Sequence, residues 1–261
     1  MKKQHMKHLW NYRIFLFFFL LLLACLPPKK PIKVYLIGDS TMCEYPVSRA
    51  PLTGWGMPFS LFFDSTVTVD NRARGGRSTR TFISENRWQP IADSLQAGDY
   101  VFIQFGHNDG AKGARYKARY TPVPDYKTNL IKFISETREK MAIPVLITPV
   151  ARRNFDAEGN IKESHTEYSA AVREVGKANE VPVIDLDARS CELLQEIGPV
   201  YSKMLFMQLD SLEHPNYPGG LDDNTHFNEY GARRMAELVL AEIRAQNFEL
   251  AERIIQVPEK K

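Results

Sequence analysis

The chain has 261 residues, of which 44% are hydrophobic and 25% charged, with 15 glycines and 16 prolines scattered along it. This composition is typical of a folded globular protein and excludes collagen-like, low-complexity and mostly disordered chains. The formal charge is +3, but residues 1–24 hold four basic residues and no acidic one, which leaves 30 basic against 31 acidic residues, a charge of −1. A near-neutral remainder gives no reason to expect a nucleic-acid partner, because such binding rests on many phosphate-neutralising contacts.

The first 24 residues have the pattern of an export signal. Their basic start is followed by an apolar run at 14–24, which is shorter than the ~20 residues that a membrane-spanning helix needs. The run leads into LLAC at 22–25, which resembles a bacterial lipobox whose cysteine receives the lipid. We therefore expect an exported lipoprotein, periplasmic or at the outer membrane, attached to a membrane through Cys25, with 25–32 as a tether. The alternative is a plain secretory signal in which Cys25 has no role.

The next part of the chain alternates short β-rich runs with helical stretches, the pattern of a parallel sheet wrapped by crossover helices. The runs are apolar nearly throughout, as expected for strands that are covered on both faces. We predict one domain over 33–250 and a C-terminal tail at 251–261. Five strands are predicted, at 33–40, 66–71, 100–109, 144–150 and 181–186. Helices are predicted near 54–63, 79–96, 125–142, 164–180 and 229–246.

Polar clusters follow the predicted strands, where ligands bind in such sheets. They are GDS at 38–40, NRARGGRS at 71–78, GHND at 106–109 and, before the last helix, DDNTH at 222–226.

A serine nucleophile needs a histidine to take its proton and a carboxylate to orient that histidine. Asp223 and His226 meet this need if a three-residue offset in one turn places both side chains facing Ser40. The oxyanion of the intermediate also needs donors, and Ser40, Gly76 and Asn108 can supply them from three loops.

The same segments resemble the four blocks of the SGNH, or GDSL, hydrolases, in the same chain order: GDST at 38–41, ARGGRS at 73–78, GHND at 106–109 and DNTH at 223–226. The resemblance implies a three-layer α/β/α flavodoxin-like fold with a five-stranded parallel sheet. It also implies that Ser40 is the nucleophile, that Gly76 and Asn108 are oxyanion donors, and that Asp223 and His226 complete the triad. The longer strings IGDSTM, TGWGMPF, GGRSTRTF, QFGHNDG and DNTHFNEYGA are most similar to the rhamnogalacturonan acetylesterases and their bacterial relatives.

Several neighbouring residues have alternative interpretations. Gly75 is the alternative oxyanion donor, and Asp222 is a rival to Asp223. His107 is a rival base, although its place in GHND favours a loop-ordering or substrate-facing role. Asp39 is expected to brace the turn after the first strand, and Asp109 to be a hydrogen-bond partner behind the site residues.

No metal or cofactor is expected, because His165 and His214 have no partners at ligand spacing. The three cysteines are too few for a disulfide framework. We expect Cys43 and Cys191 to be buried thiols, although the sequence leaves a pairing between them open.

The leading hypothesis is a monomeric serine esterase that removes O-acetyl groups from plant cell-wall polysaccharide, with pectic rhamnogalacturonan favoured. One alternative is an SGNH lipase or thioesterase for longer acyl chains, and another is a non-catalytic glycan-binding lipoprotein. Basic residues near the site favour an acidic glycan, since guanidinium groups pair with carboxylates. Substrate contacts are predicted for His107, Arg77, Lys112 and Arg115, and further basic residues lie nearby at Arg72, Arg74, Arg80, Lys117 and Arg119.

Overall fold

The computed structural model describes residues 29–256. The predicted signal peptide, Cys25 and the last residues of the predicted tail lie outside the described residues. A compact unit begins at Ile32, one residue before the predicted domain start.

A five-stranded parallel sheet forms the centre of this unit, in the order β2-β1-β3-β4-β5. The strands are β1 (Ile32–Gly38), β2 (Val67–Asn71), β3 (Tyr100–Gln104), β4 (Ile143–Ile147) and β5 (Val183–Ile184). Each of the five predicted strands is therefore present, although β5 is reduced to two residues. The central strand β3 is buried along its whole length, Gln104 included, which explains the apolar run YVFI with which it begins.

Helices cover both faces of the sheet. Along β1, Val34 and Leu36 enter one apolar core while Tyr35 and Ile37 enter the other, as the two-residue period of a strand requires. The three-layer α/β/α architecture predicted from the sequence is confirmed. The helices are α1 (Gly56–Phe59), α2 (Thr79–Ser84), α3 (Gln89–Ser94), α4 (Val123–Glu139), α5 (Thr166–Ala178), α6 (Leu186–Tyr201) and α7 (Glu229–Ala245). Residues of α1, α6 and α7 belong to the first core, and residues of α2 to α5 belong to the second.

Three features differ from the sequence prediction. The single helix expected at 79–96 is two helices, because the chain turns between them with Asn86 at a φ of 54°. Helix α6 and an antiparallel hairpin of β6 (Phe206–Leu209) and β7 (Leu221–Phe227) were not predicted.

The folded part also extends beyond the predicted boundary at residue 250. Residues Glu249–Arg253 form a short 3₁₀ helix, and Ile254 bridges Phe63. Arg253 is buried and donates to Thr66 at 2.7 Å. The first residues of the predicted tail are therefore part of the domain.

Gly231, in the first turn of α7, has no room for a side chain. A Cβ atom there would lie 1.8 Å from the carbonyl oxygen of Leu205, and backbone cannot move aside as a flexible side chain can. We expect Gly231→Ala to lower the free energy of unfolding by about 1–3 kcal/mol, the range for overpacked cores. Urea denaturation measures this change. Gly219→Ala is the matched control, since nothing lies within 4 Å of its Cβ position.

Both described cysteines are free thiols. Cys43 is buried, as expected, whereas Cys191 is only partly buried. Between residues 29 and 256 the structure has no helix that is long and apolar enough to cross a membrane.

Candidate active site

The carboxyl edge of the sheet carries the predicted site. The loops after β1, β2 and β3 meet there, and they bring Ser40, Gly76 and Asn108 to one cleft of about 1150 Å³. His226 reaches the same cleft from the hairpin. The sequence thus correctly predicted which loops converge, because parallel strands bring their carboxyl ends to a common edge.

Ser40 lies in a tight turn that is built by its neighbours. The Asp39 carboxylate accepts hydrogen bonds from the backbone and hydroxyl of Thr41, at 3.0 and 2.9 Å. Burial raises the pKa of Asp39, and the two bonds from Thr41 oppose this rise. The Tyr45 hydroxyl donates to the carbonyl oxygen of Ser40 at 2.8 Å. Asp39 therefore braces the turn, as predicted, while the Tyr45 contact had no signal in the sequence.

Ser40, His226 and Asp223 form a continuous hydrogen-bonded series. The Ser40 Oγ lies 2.9 Å from Nε2 of His226, and Nδ1 of His226 lies 2.7 Å from Oδ2 of Asp223. Burial alone would raise the pKa of Asp223, but hydrogen bonds from His226 and from the backbone of Thr225 lower it overall. Asp223 is therefore held as a carboxylate, which is the state that orients a histidine and stabilises its protonated form.

The sequence suggested that the histidine and its carboxylate lie in a turn before α7. They lie instead on strand β7. Pairing in the hairpin jumps from Met207–Asp223 to Phe206–Phe227, so the three residues between bulge out of the ladder. Asp223 Oδ1 accepts from the backbone N–H groups of Thr225 and His226, at 2.7 and 3.0 Å. This bulge places both side chains on one side, as a turn would have done.

Arg153, from the loop after β4, braces this bulge. Its backbone N–H donates to the carbonyl oxygen of Asn224 at 2.9 Å, and its Nη1 donates to Oδ1 of the same residue at 2.8 Å. Its Nε donates to the Ser202 hydroxyl at 3.1 Å. No sequence pattern indicates this role, because the partners are distant along the chain.

The predicted oxyanion donors line the cleft beside Ser40. Asn108 donates one amide hydrogen to the carbonyl oxygen of Arg77 at 3.0 Å, so its second amide hydrogen can serve a substrate. Gly76 has a φ of 79°, which favours glycine. Burial raises the pKa of the Cys43 thiol, and a contact from the Gly75 backbone N–H opposes that rise. Both Gly75 and Gly76 line the cleft, and the choice of Gly76 as the donor stays a prediction.

Asp109 connects the loops that carry Gly76 and Asn108. Its Oδ1 accepts from the backbone and hydroxyl of Thr79, at 3.0 and 2.6 Å, so the predicted role as a hydrogen-bond partner fits the structure. Burial raises the pKa of Asp109 to about 7, although the bonds from Thr79 oppose the rise.

The raised pKa of Asp109 predicts a loss of stability with rising pH. Between its ordinary value of 3.8 and about 7, the folded protein holds a proton that the unfolded chain has released. Stability therefore falls as pH rises through this interval and changes no further above it. We expect Asp109→Asn to have a smaller fall in unfolding free energy between about pH 4.5 and 7.5 than the wild type. Urea denaturation at several pH values measures it, and an unchanged slope would contradict the prediction.

His107 is not hydrogen-bonded to Ser40, so the geometry selects His226 as the base. The His107 ring is buried against that of His165, with centroids 4.1 Å apart. Burial lowers the pKa of His107 well below its usual range and lowers that of His165 to about 2, so both rings are neutral. His107 borders the cleft, and its contact with substrate stays a prediction.

The basic residues near the site divide into paired and unpaired groups. Arg72, Arg77 and Arg80 form ion pairs with Asp70, Glu85 and Asp125, respectively. Arg77 also donates to the carbonyl oxygen of Gly75 at 2.9 Å, so it holds the loop, and it lines a smaller cleft beside the main one; its contact with substrate stays a prediction. Lys112 and Arg115 do line the cleft.

Among residues 29–256, no three histidine, cysteine, aspartate or glutamate side chains come together in a way that could hold a metal ion.

Asp222, the predicted rival of Asp223, points elsewhere, and its Oδ1 accepts from Gln208 at 2.7 Å.

A Ser-His-Asp series at the carboxyl edge of a parallel sheet, beside oxyanion donors from two further loops, defines a serine hydrolase. Residues 36–234 match the GDSL-like lipase/acylhydrolase family, and the chain belongs to that family. The predicted family and the predicted class of carboxylic ester hydrolase are confirmed.

Individual relatives support the same assignment. Rhamnogalacturonan acetylesterase RhgT of Bacillus subtilis is 44% identical over 228 residues, which are 87% of this chain and 96% of the relative. The probable rhamnogalacturonan acetylesterase YesY of the same organism is 37% identical, over 85% of this chain and 97% of that protein. The crystal structure of B. subtilis YxiM has a TM-score of 0.72 at 27% identity, over 85% of this chain and 59% of that longer one.

Proposed function

We propose that the protein is a serine esterase that removes O-acetyl groups from an acidic plant cell-wall polysaccharide of the rhamnogalacturonan type. The observation that carries the chemistry is the 2.9 Å contact between Ser40 and His226, with Asp223 behind it. The substrate is supported by two relatives that align along nearly their whole length, one named a rhamnogalacturonan acetylesterase and the other a probable one.

The geometry supports an acyl-enzyme mechanism. His226 takes the Ser40 proton as the oxygen attacks the acetyl carbonyl, and Asp223 stabilises the imidazolium. The backbone N–H groups of Ser40 and Gly76 and the Asn108 amide hold the oxyanion. His226 then donates its proton to the departing sugar oxygen, which leaves an acetyl group on Ser40. Water, activated by His226, attacks this acetyl ester and releases acetate.

The character of the cleft favours a glycan over a long acyl chain. Its volume of about 1150 Å³ accommodates several sugar rings, and its described lining includes Arg49, Lys112, Arg115, Arg119 and Arg152 against the single acid Glu167. A lipase or thioesterase needs an apolar channel for the acyl tail, because burying a hydrocarbon against charged groups brings no hydrophobic gain.

Acetate release from matched substrates tests the proposed function. We expect turnover of acetylated rhamnogalacturonan to exceed that of acetylated xylan, and aryl acetates to be cleaved faster than aryl octanoates. Raising the salt concentration from about 50 to 500 mM should slow the turnover of acetylated rhamnogalacturonan, since the Debye length shortens severalfold. The turnover of acetylated xylan and of aryl acetate should remain nearly unchanged. Faster release from xylan at every salt concentration would contradict the pectic substrate, and a preference for octanoate would support the lipase alternative.

We also propose that the protein is exported and attached to a membrane through a lipid on Cys25. The support is the lipobox-like LLAC at 22–25 after a short apolar run. A relative from B. subtilis that is 30% identical over 46% of this chain is named as the lipoprotein YqeF. Cys25→Ser should move the protein out of the membrane fraction or leave it unprocessed. Wild-type protein in the medium without lipid on its N-terminal peptide would contradict the anchor.

A further inference from the structure

We propose that Arg119 and Arg152 form a carboxylate-binding subsite on the two sides of Ser40, which selects acetyl esters flanked by uronic acid units. The inference rests on the proposed function for the ester itself and adds the residues that recognise the charge of the neighbouring sugars.

Both guanidinium groups lie in the cleft without a partner for their charge. Each has a buried Nε with no hydrogen-bond acceptor, and neither has a carboxylate within 4.0 Å in the part of the chain that the structure describes. Glu167, the acid among the described cleft residues, reaches neither of them. Both residues are only partly buried, so each guanidinium presents its charge to the cleft and is available to pair with a ligand. Two such groups in one cleft therefore indicate a site for an anionic ligand.

The position of Arg119 is fixed beside the oxyanion donor. Its Nη1 lies 3.7 Å from the point where a Cβ on Gly76 would be. Its guanidinium lies 4.4 Å from the ring centre of Tyr116, and Arg115 lies 4.9 Å from the same ring. Stacking on an aromatic ring holds an arginine extended and leaves the edge of its planar fork available to a carboxylate.

Arg152 occupies the opposite side, in the loop after β4. Its backbone N–H donates to the Ser164 hydroxyl at 3.3 Å. The histidines beside it do not compete with a ligand for its charge, because burial lowers the pKa of both, and the charge of Arg152 lowers both further. A neutral imidazole pair thus forms a wall next to the unpaired guanidinium.

The order of the strands places the ester between the two arginines. Gly76, next to Arg119, follows β2, and Arg152 follows β4, while Ser40 and Asn108 follow the two strands between them. Three spacings of about 4.8 Å separate β2 from β4, or roughly 14 Å. The strand order therefore puts Arg119, beside Gly76, and Arg152 on opposite sides of Ser40, and each can take a uronic acid carboxylate on its own side of the ester.

The groove also continues past Arg119. A second cleft of about 320 Å³ shares Gly76, Arg115, Tyr116 and Arg119 with the first. A glycan chain can therefore extend beyond Arg119 in the direction away from Arg152. Guanidinium forks bind carboxylates through two parallel hydrogen bonds, which suits a uronic acid at each of these positions.

The decisive experiment compares one oligosaccharide in two charge states. An acetylated rhamnogalacturonan oligosaccharide is used with free carboxylates and after methyl esterification, with 4-nitrophenyl acetate as a third substrate. We expect Arg119→Gln and Arg152→Gln each to lower kcat/KM for the free acid by about 10- to 100-fold, mainly through KM, as for a lost charge-assisted hydrogen bond. For the methyl ester and the aryl acetate, kcat/KM should change by no more than about twofold. For the free acid, kcat/KM of Arg119→Lys and Arg152→Lys should lie between the values of the wild type and of the corresponding Gln variants.

Arg72→Gln is the matched control, because Arg72 lies on the neighbouring loop but is paired with Asp70. This variant should leave kcat/KM for all three substrates unchanged. Equal losses on the charged and methylated oligosaccharides would overturn the proposal, since the arginines would then act on structure or on the chemical step. No loss on the free acid would overturn it as well.

A binding measurement separates this proposal from the proposed function. In the Ser40→Ala background, calorimetry compares the unacetylated acidic oligosaccharide with its methyl ester, with and without Arg119→Gln or Arg152→Gln. We expect about 10-fold weaker binding of the acid in each arginine variant and no change for the ester. If wild type releases no acetate from either glycan but hydrolyses the aryl ester, the proposed function fails. Charge-dependent binding that needs both arginines would still support the subsite, and its absence would overturn the subsite too.

Discussion

Ser40→Ala and His226→Ala are each expected to lower kcat for aryl acetate and glycan substrates by about 10³-fold or more. The reason is the 2.9 Å contact that links the two side chains, through which the proton must leave the nucleophile. The double variant should lose little more than either single one, because members of a triad act as one unit. Steady-state kinetics with a sensitive acetate assay measure all three variants.

Replacing Asp223 tests the third member of the same triad. Asp223→Asn keeps the shape of the side chain but removes the charge that its neighbours stabilise. We expect a loss that is similar to that of His226→Ala or milder, because the histidine can then adopt the wrong tautomer. If His107→Ala proved as damaging as His226→Ala, with an unchanged unfolding midpoint, the assignment of the base would be wrong.

The part of the fold that could be predicted from the sequence is the part governed by local pattern. Strands β1 and β3 are apolar except at Lys33 and Gln104 and are therefore recognisable as covered on both faces. Helix α7 has Met235, Val239 and Ile243 at helical spacing, and all three are buried. These elements follow from the sequence because their burial pattern repeats at the period of the element itself.

The hairpin could not be predicted in the same way. Strand β7 has the sequence LDDNTHF, and most of its residues are only partly buried, so it lacks the alternation that marks a strand. Its pairing with β6 is long-range and interrupted by the bulge. Helix α6 is kinked at Gly198, whose φ of 76° and ψ of 173° are not helical, and Pro199 follows it. Such residues usually indicate the end of a helix, so the sequence does not indicate a helix that continues to Tyr201.

The features of the site likewise divide into those that could be predicted from the sequence and those that could not. Ser40, Asn108 and the Asp223–His226 pair carry recognisable spacing and follow strands or precede a helix, so their convergence could be predicted. The ion pairs that distinguish Arg77 from Arg119 could not, because Glu85 meets Arg77 across helix α2, eight residues along the chain. The sequence shows how many basic residues lie near a site. Only the folded structure shows which of them have no acidic partner.

Asn108→Ala is expected to lower kcat by about 10²- to 10³-fold, with little change in KM. The Asn108 amide is already fixed by its bond to the carbonyl oxygen of Arg77, at 3.0 Å, so its second hydrogen is oriented before substrate arrives. A donor held in this way stabilises the oxyanion more than the ground-state carbonyl, and its loss therefore appears in kcat.

Asn108→Asp tests the donor role directly, because it has nearly the same shape but replaces the donor with a negative charge. We expect it to be at least as inactive as Asn108→Ala, since a carboxylate repels the developing oxyanion. Urea denaturation of both variants shows how much of any loss comes from the bond to Arg77. A change confined to KM in Asn108→Ala would instead identify Asn108 as a residue that binds substrate. Activity retained by Asn108→Asp would exclude Asn108 from the oxyanion hole and leave the backbone groups of Ser40 and Gly76 as its donors.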